Sequence, residues 1–181
     1  MKEIVKYLYN EKPNIVDGCN AGGPKNDRKG NLKAFVEHIL NKLPDNKAYL
    51  ICQAAYSPGK AIFFTEKVGQ IFSNKENLQQ CLFERGGKIA HYMYFDNKQC
   101  AINAKLAMQR PLLRFALYKV QSDQNLTPSK CYRYIPNIDW EDNRAKTDEG
   151  ILELCGCLKN KCKEYVEYCK KIIENVDNKR K

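Results

Sequence analysis

The sequence predicts an α+β fold: a small mixed sheet, helices flanking it, and a helical C-terminal end. Three observations predict it. Apolar residues recur at helical spacing up to about residue 43, the period shortens to two in runs between residues 47 and 95, and helical spacing then returns and recurs through the C-terminal tail. At 181 residues, 43% hydrophobic and 29% charged, the chain has the length and composition to bury a core of its own.

The elements follow in order. "KEIVKYLYN" reads as a short first helix ending before Pro13, and "DGCNAGGPKNDRKG" as a loop by composition. In "NLKAFVEHILNKL", Leu32, Phe35, Val36, Ile39, Leu40 and Leu43 fall at helical spacing, closed by Pro44. "KAYLICQ", "KAIFFTE" and "GQIF" read as short strands, and "KENLQQCLFE" as a helix stopped by Gly86-Gly87. "KIAHYMYF" is a further strand, alternating Ile89, His91 and Met93 with Ala90, Tyr92 and Tyr94. Asp96 or Asn97 can cap the helix "KQCAINAKLAMQR", and Pro111 opens a second one, "PLLRFALYKVQ". "YRYI" is expected to be a strand stopped by Pro136, with Trp140 anchoring the crossing that follows. Thr147 should cap the final helix, with Asp148 and Glu149 at its positive end. The expected division is an N-terminal helical segment with a Gly-rich loop (1–46), a mixed α+β core (47–138) and a helical end (139–181).

The net charge is +10, which points to an anionic partner, nucleic acid before a membrane surface. That charge is concentrated. Between Asn97 and Ile138 seven basic residues face one acid, Asp123, whereas Asp139 to Glu153 is net acidic. No apolar run approaches a membrane span. The N-terminal stretch carries Glu3 and lacks a small-residue cleavage site, so no signal peptide is expected. The nine cysteines are odd in number, and Cys52, Cys81, Cys100 and Cys131 sit in apolar stretches. They read as reduced, small hydrophobes of an intracellular protein.

Several chemical readings fail on spacing. "GCNAGGPK" spaces Gly18 and Gly23 like a phosphate loop, but Pro24 stands where Lys is needed and lacks the N–H that would cradle phosphate. Cys155, Cys162 and Cys169 fall seven apart, so on one helix successive sulfurs stand about 10 Å from each other. One zinc needs its sulfurs at roughly 2.3 Å, so the three read as a packing seam with Leu158, Tyr165 and Ile172. His38 and His91 read as structural. No catalytic residue and no metal site are expected. The basic, aromatic middle remains: Lys105, Arg110, Arg114, Lys119, Gln124, Lys130, Tyr132 and Arg133 are the candidate nucleic-acid contacts, with either Tyr132 or Tyr134 covering the core.

The run from Tyr94 to Gly156 resembles the C-terminal part of adenine-specific DNA methyltransferases of restriction–modification systems. It holds, in that family's order, Arg114-Phe115, a Gln-containing loop, Tyr132 to Pro136, Asp139-Trp140 and Thr147-Asp148-Glu149. "NKCKEYVEYCKKII" stands where the family has its last helix, and Tyr49 to Phe95 look like the variable part that reads DNA. The chain has neither a Pro-Pro pair nor a Phe-x-Gly-x-Gly loop. The resemblance therefore implies the fold and the DNA partner, and not catalysis. S-adenosylmethionine is expected only through a separate catalytic chain. Two alternatives stay open, an RNA-binding module and a protein-interaction subunit docking through its C-terminal helix.

Overall fold

In the computed structural model, which describes residues 2–17, 31–53, 69–84, 90–124 and 132–179, the predicted strands "KAYLICQ", "GQIF" and "KIAHYMYF" form in their described parts. The Gly-rich loop, the predicted strand "KAIFFTE", the Gly86-Gly87 stop and Lys130 lie outside the described residues. The chain divides into two units, and one of the crossings between them falls within a helix, between Ile102 and Asn103. The class is α+β.

The first unit holds β1 (Ile15–Asp17), α2 (Leu32–Lys42), β2 (Ala48–Gln53), β3 (Gly69–Phe72), α3 (Lys75–Glu84) and β4 (Ala90–Phe95). The strand order is β1-β4-β2-β3 with every neighbouring pair antiparallel. The expected mixed sheet is thus antiparallel. β4 lies between β1 and β2, so the two strands that share a direction never pair. Register places Tyr49 opposite Tyr94 and Phe72, and Ile51 and Val16 opposite Tyr92. Side chains alternate across a strand, which brings these residues to one face, where Phe35, Val36 and Ile39 of α2 and Leu78 and Leu82 of α3 bury against them. Each such aliphatic or aromatic side chain contributes about 1.5–3 kcal/mol. Leu50, Cys52, His91 and Met93, on the opposite face, are buried too. Apolar residues on both faces make "YLIC" an unbroken run.

The second unit holds α1 (Lys2–Leu8), the end of α4 (Lys98–Met108), α5 (Pro111–Gln124), α6 (Asp148–Leu154) and α7 (Lys159–Asn178). Cys162, Val166, Cys169 and Ile173 form the buried stripe of α7, which packs on α5 and α6. Phe115 meets Tyr168 edge to face at 5.7 Å. The cysteine seam does not run along one helix. Gly156 takes a φ of 85°, the Cys157 amide bonds back to the Leu152 carbonyl at 2.9 Å and the Gly156 amide to Glu153 at 3.0 Å. That pattern is a glycine-ended helix stop, and it separates α6 and Cys155 from α7.

"YRYI" is a 3-10 turn, Tyr132–Tyr134, rather than a strand. A strand would put Tyr132 and Tyr134 on one side, whereas the three-residue period of this turn pairs Tyr132 with Ile135. Both of those are buried, and the Ile135 amide bonds to the Tyr132 carbonyl at 3.2 Å. Asn97 caps as expected, its Oδ1 accepting from the Cys100 amide at 2.9 Å, and Thr147 Oγ1 accepts from the Gly150 amide at 3.0 Å, capping the short α6 rather than the final helix. Trp140 is buried, and its carbonyl accepts from Asn103 Nδ2 at 2.8 Å.

A second 3-10 turn, Asn143–Lys146, precedes α6. Asp142 opens it by accepting from the Arg144 amide at 2.8 Å and from its guanidinium at 2.7 Å. The guanidinium hydrogen bond holds the Asp142 carboxyl at about 2, below the ordinary aspartate range. A depressed folded-state pKa means that the contact is in force above the ordinary aspartate range and fades as pH falls toward 2. Carboxyl NMR should show that midpoint, and Arg144→Ala should return it to the ordinary range.

Candidate nucleic-acid interface

The basic residues singled out by sequence separate into two groups. Arg110 and Arg114 are tied into the second unit. Arg110 Nε donates to Asp148 Oδ1 at 2.8 Å, and its Nη2 to the Ala145 carbonyl at 2.7 Å. Arg114 Nη2 donates to Asp177 Oδ1 at 2.7 Å, and that arginine side chain is only 14% exposed. Lys105 on α4 and Lys119 on α5 are half-buried, and Tyr132 is buried. Gln124 is the last residue of α5; its side chain, like Lys130, lies outside what is described. Arg133 alone of the eight is an exposed cation with a described side chain.

Arg133 leads to a surface that the sequence did not single out. Its carbonyl accepts from the Asn10 amide at 2.7 Å, which fixes the chain leaving α1 against the 3-10 turn. Its Nη1 lies 3.5 Å from the Tyr9 hydroxyl and 3.4 Å from the Glu11 carbonyl. The rings of Tyr9 and Tyr134 stand 5.5 Å apart at 60°. Lys2 and Lys6 follow at i and i+4, on the side of α1 opposite the buried Ile4 and Leu8, and Tyr9 comes directly after the helix. All three are exposed.

The other side of α1 meets α7. Tyr165 donates its hydroxyl to Glu3 at 2.7 Å, and the Tyr7 and Tyr165 rings lie 6.5 Å apart. That hydrogen bond, with Lys161 and Lys6 nearby, lowers the Glu3 pKa and pushes the Tyr165 hydroxyl up to about 12. Lys159, Lys161 and Lys163 are exposed at the start of α7, where the N-cap residue Leu158 supplies no side-chain bond and the first turn carries no acid. Cations at the positive end of a helix oppose its dipole by about 0.3–1 kcal/mol each. Local helix stability therefore does not account for them. Lys2, Lys6, Lys159, Lys161, Lys163 and Arg133 form no salt bridge among the described residues.

The sulfur chemistry is quiet. Burial pushes the thiols of Cys155, Cys162 and Cys169 up to about 12, so without a metal they stay protonated at neutral pH. Among the described residues no three His, Cys, Asp or Glu side chains converge to hold a metal ion, and no helix is long and apolar enough to cross a membrane. Comparison of the chain with protein-family profiles, with curated proteins and with solved structures finds no match.

Proposed function

We propose that this chain is a DNA-binding, target-recognition-like module related to adenine-specific DNA methyltransferases of restriction–modification systems, working beside a separate catalytic subunit that carries S-adenosylmethionine. The observation that carries the DNA partner is the sorting of cations on the second unit. The paired arginines Arg110 and Arg114 are structural, while Lys2, Lys6, Lys161 and Arg133 stand exposed around α1. The residues behind the resemblance, Phe115, Tyr132, Pro136, Trp140 and Thr147, are buried or capping. They support a shared scaffold, and leave DNA contact to the exposed set. Docking through the C-terminal helix is less favoured, because Cys162, Val166, Cys169 and Ile173 are already covered within the unit. Six buried free thiols among the described residues fit an intracellular setting.

Duplex DNA binding measured against salt tests the proposal. Each phosphate contact contributes a slope of about −0.9 in log K against log salt. The triple variant Lys6→Ala/Lys161→Ala/Arg133→Ala should lose roughly that much per cation. An unchanged slope removes the interface from α1. Duplex RNA competing better than duplex DNA favours the RNA-binding alternative, and no salt-dependent binding to either excludes a nucleic-acid role.

A further inference from the structure

The N-terminal segment, for which sequence gave no role, carries a feature that sharpens the proposed DNA-binding surface, and the inference rests on that proposal. Tyr9 is 47% exposed, yet its ring is held on the protein side. Tyr134 leans on it at 5.5 Å, and the Asn10 amide next to it is bonded to Arg133. A ring fixed in this way can offer its outer surface without losing much side-chain freedom on contact.

Its surroundings select the ligand. Arg133 lies at the ring's hydroxyl edge, with contacts of 3.4 and 3.5 Å to two neutral oxygens. Bonds of that length are weak, so the guanidinium keeps donors for a charged acceptor. Lys6 and Lys2 continue the strip at one-turn intervals along α1, and Glu11 is the exposed acid beside it. An aromatic surface with cations at its edge and in line beside it matches a nucleotide strand, in which bases and phosphates alternate.

We infer that Tyr9, backed by Tyr134, is a stacking platform for one unpaired DNA base, whose adjoining phosphate is held by Arg133. The candidate from sequence, Tyr132, is buried and cannot serve. Bases inside an intact duplex have both surfaces covered by their neighbours. The platform therefore distinguishes DNA with a displaced base from fully paired DNA.

The test uses the full chain and two labelled DNAs, a paired duplex and the same duplex with one bulged adenine. The wild type should bind the bulged duplex about tenfold more tightly, within the range of base–aromatic stacking. Tyr9→Ala should abolish that preference, Tyr9→Phe should keep it, and Arg133→Ala should weaken both DNAs. Fluorescence of Trp140 confirms that each variant is folded. A preference that survives Tyr9→Ala overturns the inference, as does equal wild-type binding of both DNAs; salt-dependent duplex binding then still stands. Absence of all DNA binding removes the proposed function and the platform together.

Discussion

Asp148→Ala is expected to lower the free energy of unfolding by about 3–5 kcal/mol, the range for breaking a buried ion pair from one side. Asp148 is 5% exposed and serves two distant partners. Oδ1 accepts from Arg110 at 2.8 Å, and Oδ2 from the Leu112 amide at 3.0 Å. It therefore ties the turn between α4 and α5 to the first residue of α6, where a carboxylate is also favoured by the helix dipole. Alanine leaves the guanidinium without its counter-charge and the Leu112 amide without its acceptor, and a buried unsatisfied donor alone costs about 1–3 kcal/mol. Arg110→Ala exposes the same dependence from the other side, and the double variant should cost less than the sum of the two singles, since the residues are in contact. Urea unfolding followed at Trp140, the only tryptophan, measures all three. A loss below about 1 kcal/mol for Asp148→Ala would sink the account. Loss of DNA binding in Arg110→Ala should accompany loss of fold, whereas Arg133→Ala, at an exposed position, should leave stability within about 0.5 kcal/mol.

The elements legible in sequence were those whose residues determine them locally. A short apolar run located β2, period-two alternation located β4, and the helical repeat located α2 and α3. Pro111 marked the start of α5, while Asn97 and Thr147 marked caps because a cap needs only its own side chain and an amide three residues on. β1 escaped because three residues are too few to show a period. "YRYI" misled because alternating tyrosines satisfy the strand pattern, whereas among the described residues no strand pairs with them and they form a 3-10 turn. The heptad spacing of the cysteines was real, but Gly156 could end a helix or sit inside one, and spacing alone does not choose.

The candidate site was legible as charge and illegible as geometry. Arg110 and Arg114 stand four apart, a spacing that suits surface phosphate contacts, yet each meets an acid far along the chain, Asp148 at 38 residues and Asp177 at 63. No local pattern encodes those pairings. The same distance hid the α1 surface. Lys2, Lys6 and Tyr9 carry a visible helical spacing, but the arginine that completes them comes from 124 residues away.

Gly150→Ala is the second large effect, expected to cost roughly 3 kcal/mol or more, at or above the upper end for overpacking. Its sign is the informative part. Glycine to alanine inside a helix ordinarily stabilises by about 1 kcal/mol, and Gly150 lies in the first turn of α6 with its amide bonded to the cap Thr147. Here, however, a Cβ would run into the Arg144 carbonyl oxygen, with the carbonyl carbon 2.7 Å and the Cα 2.8 Å away. Those are backbone atoms, so no rotamer change relieves the clash. Either α6 or the 143–146 turn must move. Moving the turn strains the Thr147 amide bond to Arg144 at 3.2 Å and the Arg110 bond to the Ala145 carbonyl at 2.7 Å. The Asp148 tie would then be loosened by the same displacement. Gly150→Ala should consequently be non-additive with Arg110→Ala, the second substitution costing less once the first has parted the turn from the helix. Thermal unfolding of the two singles and the double decides it, and a neutral or stabilising Gly150→Ala would mean that the turn and α6 are not in backbone contact.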